Sequence, residues 1–269
     1  MIYDCFSYWD EDLLLDLRLK ILNKFVDYFV IVEGNKTWQN NPKEFRFDFD
    51  KFKEFKDKII YIPVTDLPDG DDPYLRENFQ RNSILKGLNN ARPDDTIMIS
   101  DLDEIPNPKK ISTFKSNMKY AVFKQMHFYY KLNLQSRNNP FWYGSRICIY
   151  KNLKSPQWLR NLKFKKRPFW RIDKARLNNI IEDGGWHFCN LKSPEKLLYK
   201  YRNLCETNDP INFKEKIDEK HLNLNEIKKK IENQIDIIGR NDSFTKIKLN
   251  ENFPEYLLNN KQFYKEWLI

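Results

Sequence analysis

Three carboxylates close a short apolar run in Thr96-Ile97-Met98-Ile99-Ser100-Asp101-Leu102-Asp103-Glu104-Ile105-Pro106. Residues 96–99 read as a buried strand. Pro106 cannot donate to a ladder, so the strand ends in acid groups at the edge of a sheet. Open α/β sheets take their ligands beyond the carboxyl ends of their strands. Asp101 and Asp103 are two apart, and in extended chain such side chains project to one side. Two hard oxygen ligands there suit Mg²⁺ or Mn²⁺. The triplet alone is weak, because with 38 acidic residues in 269 chance supplies about five. Its place at a strand end, behind a helix with turn signals, gives it weight.

A second stretch with chemical potential is Glu182-Asp183-Gly184-Gly185-Trp186-His187-Phe188-Cys189. Paired glycines permit close backbone approach and unusual dihedrals. A histidine beside two carboxylates, one of three in the chain, is a candidate ligand or general acid/base. A third stretch is basic: Arg160, Lys163, Lys165, Lys166, Arg167, Arg171, Lys174 and Arg176, interleaved with Phe164, Phe169 and Trp170. It suits peripheral contact with an anionic membrane or a polyanionic acceptor. It lacks any RRM, KH or zinc pattern, so nucleic acid is not expected as a partner.

The elements that must position these groups read as α/β. Strands are expected at 2–8, 28–32, 58–64, 96–101, 120–123, 128–130 and 147–150. A helix at 10–23, capped by Asp10, carries an apolar stripe of Leu13, Leu14, Leu17, Ile21 and Leu22. Asp72-Pro73 starts a second helix running to about residue 90. Asn82 falls on its core-facing arc, where a polar group needs a partner. Glu33 closes the second strand. Helices are expected at 194–205, 214–220 and 224–238.

The totals narrow the function. Seven glycines and no G-x-G-x-x-G or Walker A pattern argue against dehydrogenases and P-loop NTPases. A net charge of +9 suits an anionic partner. Cys5, Cys148, Cys189 and Cys205 lie far apart without a C-x-x-C pair, a spacing that favours neither zinc nor a disulfide framework. No signal peptide and no apolar run of membrane-spanning length is evident, so a cytoplasmic chain, peripheral at most at a membrane, is expected.

The order of these parts resembles the nucleotide-sugar glycosyltransferases of GT-A fold, and within them glycosyltransferase family 17, the family of the β-1,4-mannosyl-glycoprotein N-acetylglucosaminyltransferases. Tyr3-Asp4-Cys5-Phe6, Phe29-Val30-Ile31-Val32-Glu33, Glu77 to Asn82, Arg92-Pro93-Asp94-Asp95, Ser100 to Pro106 and Gly184 to Phe188 carry the resemblance. It implies a mostly parallel mixed sheet flanked by helices. Residues 1–205 would form the catalytic domain, and 206–269 a helical extension packed on it. It implies inverting transfer of a sugar, N-acetylglucosamine foremost, from a UDP-sugar to a glycan or lipid-linked saccharide. Asp101, Asp103 and His187 would hold Mn²⁺ or Mg²⁺. Arg81, Asn82 and Asp101 would lie at the diphosphate or ribose, and Asp4, Cys5, Phe6 and Glu33 at the nucleoside. Asp183 would be the base, with Glu182 and Glu104 as alternatives. Lacking the anchor and stem of the animal enzymes, the chain is expected to come from a microbe or virus. Two readings compete: a nucleotidyltransferase, which also uses paired carboxylates, and a non-enzymatic basic module.

Overall fold

Near-continuous apolar runs mark strands covered on both faces, and three of the four strands in the first half of the sheet, at 2–7, 28–34 and 96–101, are of that kind. The computed structural model describes residues 1–115, 117–163, 177, 179–205 and 222–269. Strand β1 (Ile2–Ser7) leads through helix α1 (Asp12–Leu22) to β2 (Tyr28–Gly34) and then β3 (Ile59–Val64). Helix α2 (Pro73–Asn82) precedes β4 (Thr96–Asp101). These four strands are parallel, in the order β4-β1-β2-β3. The Asp72 cap is as expected, its carboxylate accepting from the Tyr74 N–H at 2.9 Å. The first helix is capped differently: it starts from Glu11 without a side-chain cap, while Asp10 pairs with Lys192. α2 stops at Asn82 and continues as a tighter 3₁₀ turn, Ser83–Leu88. That turn lies so close to β2 that a Cβ on Gly87 would sit 2.5 Å from a Val30 methyl.

The second half is built from hairpins. After β5 (Glu104–Pro106) and the short α3 (Pro108–Ile111), β6 (Tyr120–Tyr129) runs unbroken for ten residues where two strands were expected. β7 (Leu134–Ser136), β8 (Phe141–Trp142) and β9 (Arg146–Ile149) fold back on it or on β4. Helix α4 (Pro156–Arg160) follows, then β10 (Asn179–Cys189), which pairs parallel with β6 and antiparallel with β5. Helices α5 (Pro194–Asn203) and α6 (Leu224–Glu232), strand β11 (Phe244–Lys246) on β7, and helix α7 (Glu255–Asn259) complete the described chain.

The architecture is α/β with one large mixed sheet flanked by helices. The expected parallel majority is not found: among the described residues four of ten strand pairings are parallel. Connections such as those around β7 and β8 are too short for a crossover, so the strands they join must run antiparallel. The helix expected at 214–220 lies outside the described residues.

One buried cation ties the halves together. Arg18 on α1 is 0% exposed. Its Nε and Nη2 donate to the two Asp4 oxygens at 2.8 and 2.6 Å, and Nη2 also donates to Ser100 Oγ. Its Nη1 donates to the carbonyls of Asp101, Leu102 and Glu104, each at 3.0 Å. The turn that leaves β4 is therefore wound around a guanidinium. Removing one member of a buried, fully bonded pair costs about 3–5 kcal/mol, because the other charge is left uncompensated. Urea denaturation of Arg18→Met should show a loss of that size. Adding Asp4→Leu should recover only part of it, since the three carbonyls still lack a donor. Full recovery in the double variant would refute the turn-clamping role.

Candidate active site

Asp101 ends β4, Leu102 and Asp103 form the turn around Arg18, and Glu104 opens β5. The pair is therefore not in continuous extended chain. Because the turn's carbonyls face Arg18, its carboxylates are presented outward, and Asp101, Asp103 and Glu104 all line a cavity of about 630 Å³. Ser7 at the end of β1, with Tyr8 and Trp9 just beyond it, lines the same cavity, as expected for a crevice at the carboxyl ends of parallel strands.

Two arginines form one wall. Arg81, near the end of α2, donates from Nη2 to Asp101 at 3.1 Å and to Glu77 at 2.7 Å. Arg160, last residue of α4, donates to the second Asp101 oxygen at 2.8 Å and to Glu104 at 2.7 and 3.1 Å. Asn82 fixes the distance between the two helices, its side-chain oxygen accepting from the Gln157 N–H at 3.0 Å. Glu104 is 1% exposed and also accepts from Trp142 Nε1 at 2.7 Å and the Asp101 N–H at 3.0 Å. Gly144 is required here, since a Cβ would overlap the Glu104 carboxylate. Burial by itself would raise the Asp101 carboxyl, but Arg160 and Arg81 override it and hold it well below the usual carboxylate range. The same carboxylates raise Arg160 against its own burial.

The facing wall comes from β6 and β10. His187 Nε2 lies 3.5 Å from Asp103 Oδ1. Register places His127 beside His187, with ring centroids 4.7 Å apart and planes 2° from parallel. Trp142 closes over both. Burial and then the neighbouring His187 lower His127 to about 3, so it is neutral. For His187, burial opposes the proton but Asp103 wins, raising it well above the ordinary value. Burial likewise opposes the Asp103 charge, and His187 holds its carboxyl low.

Asp101, Asp103, Glu104, Arg81 and His187 are thus brought together; several other expected residues are not. Asp4, Cys5 and Phe6 are each 0% exposed, Asp4 bonded to Arg18 and Phe6 beneath the same guanidinium. Glu33 is buried too, accepting from Lys43, Tyr61 and the N–H groups of Arg46 and Phe47. It anchors a loop and does not reach the cavity. Asn82 acts through Gln157. Glu182 and Asp183 line a separate cavity of about 920 Å³ with Trp186 and Met126, where they pair with Lys124 and Lys110. Alternation along β6 and β10 explains the separation: Trp186 and Met126 point opposite to His187 and His127. The Gly184-Gly185 pair lies within β10, with a bulge between Ile181 and Gly185. A Cβ on Gly185 would strike the Ile105 carbonyl, so the glycine is what lets β10 close on β5.

Arg160, expected with the basic stretch to meet an anionic membrane or a polyanionic acceptor, is turned into the cavity, and residues 164–176 lie outside the described residues. The residues around His127 give no local signal of its role, because nothing near it in sequence tells which strand will lie beside it. Among the described residues, no helix is long and apolar enough to cross a membrane.

A family model described as glycosyltransferase family 17 matches residues 1–268. The human and rat proteins named β-1,4-mannosyl-glycoprotein 4-β-N-acetylglucosaminyltransferase are each 34% identical over 104 residues, and the mouse protein 33%. Each match covers 35% of this chain and 19% of the relative, so the chain spans about a fifth of the length of these curated relatives. The expected microbial or viral source is corrected by these findings: the relatives that match are mammalian.

The charge cluster has a pH signature. A carboxyl held low in the folded state stabilises above its ordinary value near pH 4, and that stabilisation is lost as pH falls toward the folded value. Asp101→Asn should therefore melt below wild type at pH 7, with the gap narrowing as pH is lowered below about 4. A gap in melting temperature that does not change with pH would contradict the assignment.

Proposed function

Since the chain belongs to glycosyltransferase family 17 and is a glycosyltransferase, we propose that it transfers N-acetylglucosamine from UDP-N-acetylglucosamine to a hydroxyl of a glycan or lipid-linked saccharide, with inversion and with a divalent cation, on a GT-A type fold. The observation that carries this reading is the gathering of Asp103 and His187 opposite the Arg81–Arg160 wall in one cavity at the carboxyl ends of β1 and β4. The relatives' names support N-acetylglucosamine as the sugar.

Departure of a nucleoside diphosphate builds negative charge, and preorganised positive groups stabilise such charge most where water is excluded. Arg81 and Arg160 are held at the cavity wall by Asp101, Glu77 and Glu104, so diphosphate oxygens would meet them by exchanging with carboxylates already in place. Asp103 and His187 fit a cation, since 3.5 Å is close to the separation of two ligands on one ion, about 3.0–3.4 Å from bond lengths near 2.1 Å. That cation would neutralise the leaving diphosphate as a Lewis acid. Asp101 orients the two arginines more than it binds metal, because both its oxygens already accept from them.

Inversion needs a carboxylate to take the acceptor's proton in line with the leaving group. Asp183 and Glu182 open into the other cavity, and the Glu104 oxygens are filled. This favours Glu77, which lines the site, is 21% exposed in its side chain and pairs with Arg81. Trp142 and Tyr143, also lining the cavity, offer ring faces for a sugar. Family membership sets aside the nucleotidyltransferase and the non-enzymatic module.

Release of UDP from UDP-N-acetylglucosamine with Mn²⁺ tests this reading. Asp103→Ala and Arg160→Gln should each lose about a hundredfold or more in rate, whereas Asp183→Asn should turn over like wild type. Unchanged turnover in Asp103→Ala would overturn the cation assignment, and loss of turnover in Asp183→Asn would restore that residue as the base.

A further inference from the structure

Parallel register places His127 and His187 side by side, and the period of two places Cys189 on the same face of β10. One nitrogen of each imidazole and the Cys189 sulfur lie within 4.8 Å of one another. Each histidine has one nitrogen engaged and the other left over. His127 Nδ1 meets the Asn139 carbonyl at 3.1 Å. A carbonyl can only accept, so Nδ1 carries the proton and Nε2 keeps a lone pair. That Nε2 is buried without a hydrogen-bond partner among the described residues. His187 turns Nε2 toward the Asp103 carboxylate, and its Nδ1 is buried without a partner in the same sense. The residues are 3% and 7% exposed. A histidine whose outer nitrogen is held by a carbonyl or carboxylate while the inner one lacks a partner has the arrangement of a metal ligand.

The geometry points to a thiophilic divalent cation of the zinc class, bound by His127 Nε2, His187 Nδ1 and the Cys189 thiolate, with its fourth position open to the cavity. Two imidazoles and a thiolate are soft and borderline donors that favour zinc over Mg²⁺ or Mn²⁺, and three protein ligands with an open position form a known zinc arrangement. On binding, the Cys189 thiol proton and the His187 Nδ1 proton are both released to solvent, while the Nε2 proton stays on the side of Asp103, which keeps the His187 ring oriented. The separation of the four cysteines in sequence hides such a site, because two of its three ligands are histidines and one of them sits on another strand. This site goes beyond the donor cation proposed at Asp103: with zinc on Nδ1 the His187 Nε2 keeps its proton for Asp103, so the donor cation would then rest on Asp103 without His187.

Co²⁺ titrated into the full chain is the probe. The site should give visible ligand-field bands of tetrahedral intensity and a near-ultraviolet sulfur-to-cobalt charge-transfer band, both abolished by one equivalent of Zn²⁺. Cys189→Ser should lose the charge-transfer band, and His127→Gln should weaken Co²⁺ binding by about tenfold or more. Cys205→Ser, whose residue lines the same cavity, should keep the band. Asp103→Ala should bind Co²⁺ about tenfold or more weakly but keep the band at saturation, so that loss of UDP turnover in that variant leaves this site standing. X-ray absorption of the Zn²⁺-loaded wild type should show one sulfur at about 2.3 Å and nitrogens near 2.0 Å. This decides the question even if the Cys189 variant does not fold. A zinc shell without sulfur, or a charge-transfer band surviving in Cys189→Ser, would overturn the proposal.

Discussion

A guanidinium with no access to water must have every N–H satisfied, and in this protein that constraint shapes the turn that leaves β4. Arg18 cannot be buried unless Asp4 neutralises it and backbone oxygens take its remaining donors. The oxygens it takes are those of Asp101, Leu102 and Glu104, which fixes the turn with its carbonyls inward and its carboxylates outward. The Phe188 N–H then donates to the Asp103 carbonyl at 2.9 Å, which joins β10 to the same turn. The charge buried beneath the site is thus a structural element that sets the direction of the groups above it.

The cavity wall above the turn is electrically balanced. Arg81 and Arg160 face Glu77, Asp101 and Glu104, and Arg146, pushed down to about 10 by burial and then by Arg160, lies alongside. Such a network holds cations ready without a large net field. Two of the carboxylates, Asp101 and Glu104, share Arg160 between them. Mobility of either arginine is limited because its other hydrogen bonds reach a different helix or loop: Arg81 and Gln157 are bonded partners, as are Arg160 and the Gly144 carbonyl.

Much of this was legible in the sequence where the signal is local. The apolar runs of β1, β2 and β4, the Asp72-Pro73 helix start and the acidic end of β4 each follow from neighbouring residues. What was not legible depends on pairing. Asp183 and His187 look like partners at four residues' spacing, but a bulge and the alternation of β10 send them to opposite faces. His127 gains meaning only from the strand beside it. Arg160 reads as one member of a basic stretch until α4 turns it inward, and Arg18 reads equally as a surface or an ion-paired residue until Asp4 is found beneath it. Asp4, Cys5 and Phe6 carried a family pattern that the fold uses for its interior, with the cavity lined by the next three residues along.

The bulge between Ile181 and Gly185 has a consequence for how this family can vary in length. A strand with different chemistry on its two faces behaves as a two-state code, and the bulge sets its phase. Loss or gain of one residue there would exchange the faces downstream, putting Trp186 and Phe188 where His187 and Cys189 now stand. Changes of two residues would preserve the phase. Length variation at 182–184 should therefore be tolerated only in even steps, while the loops after β7 and β9, which set no phase for β10, are free of that rule.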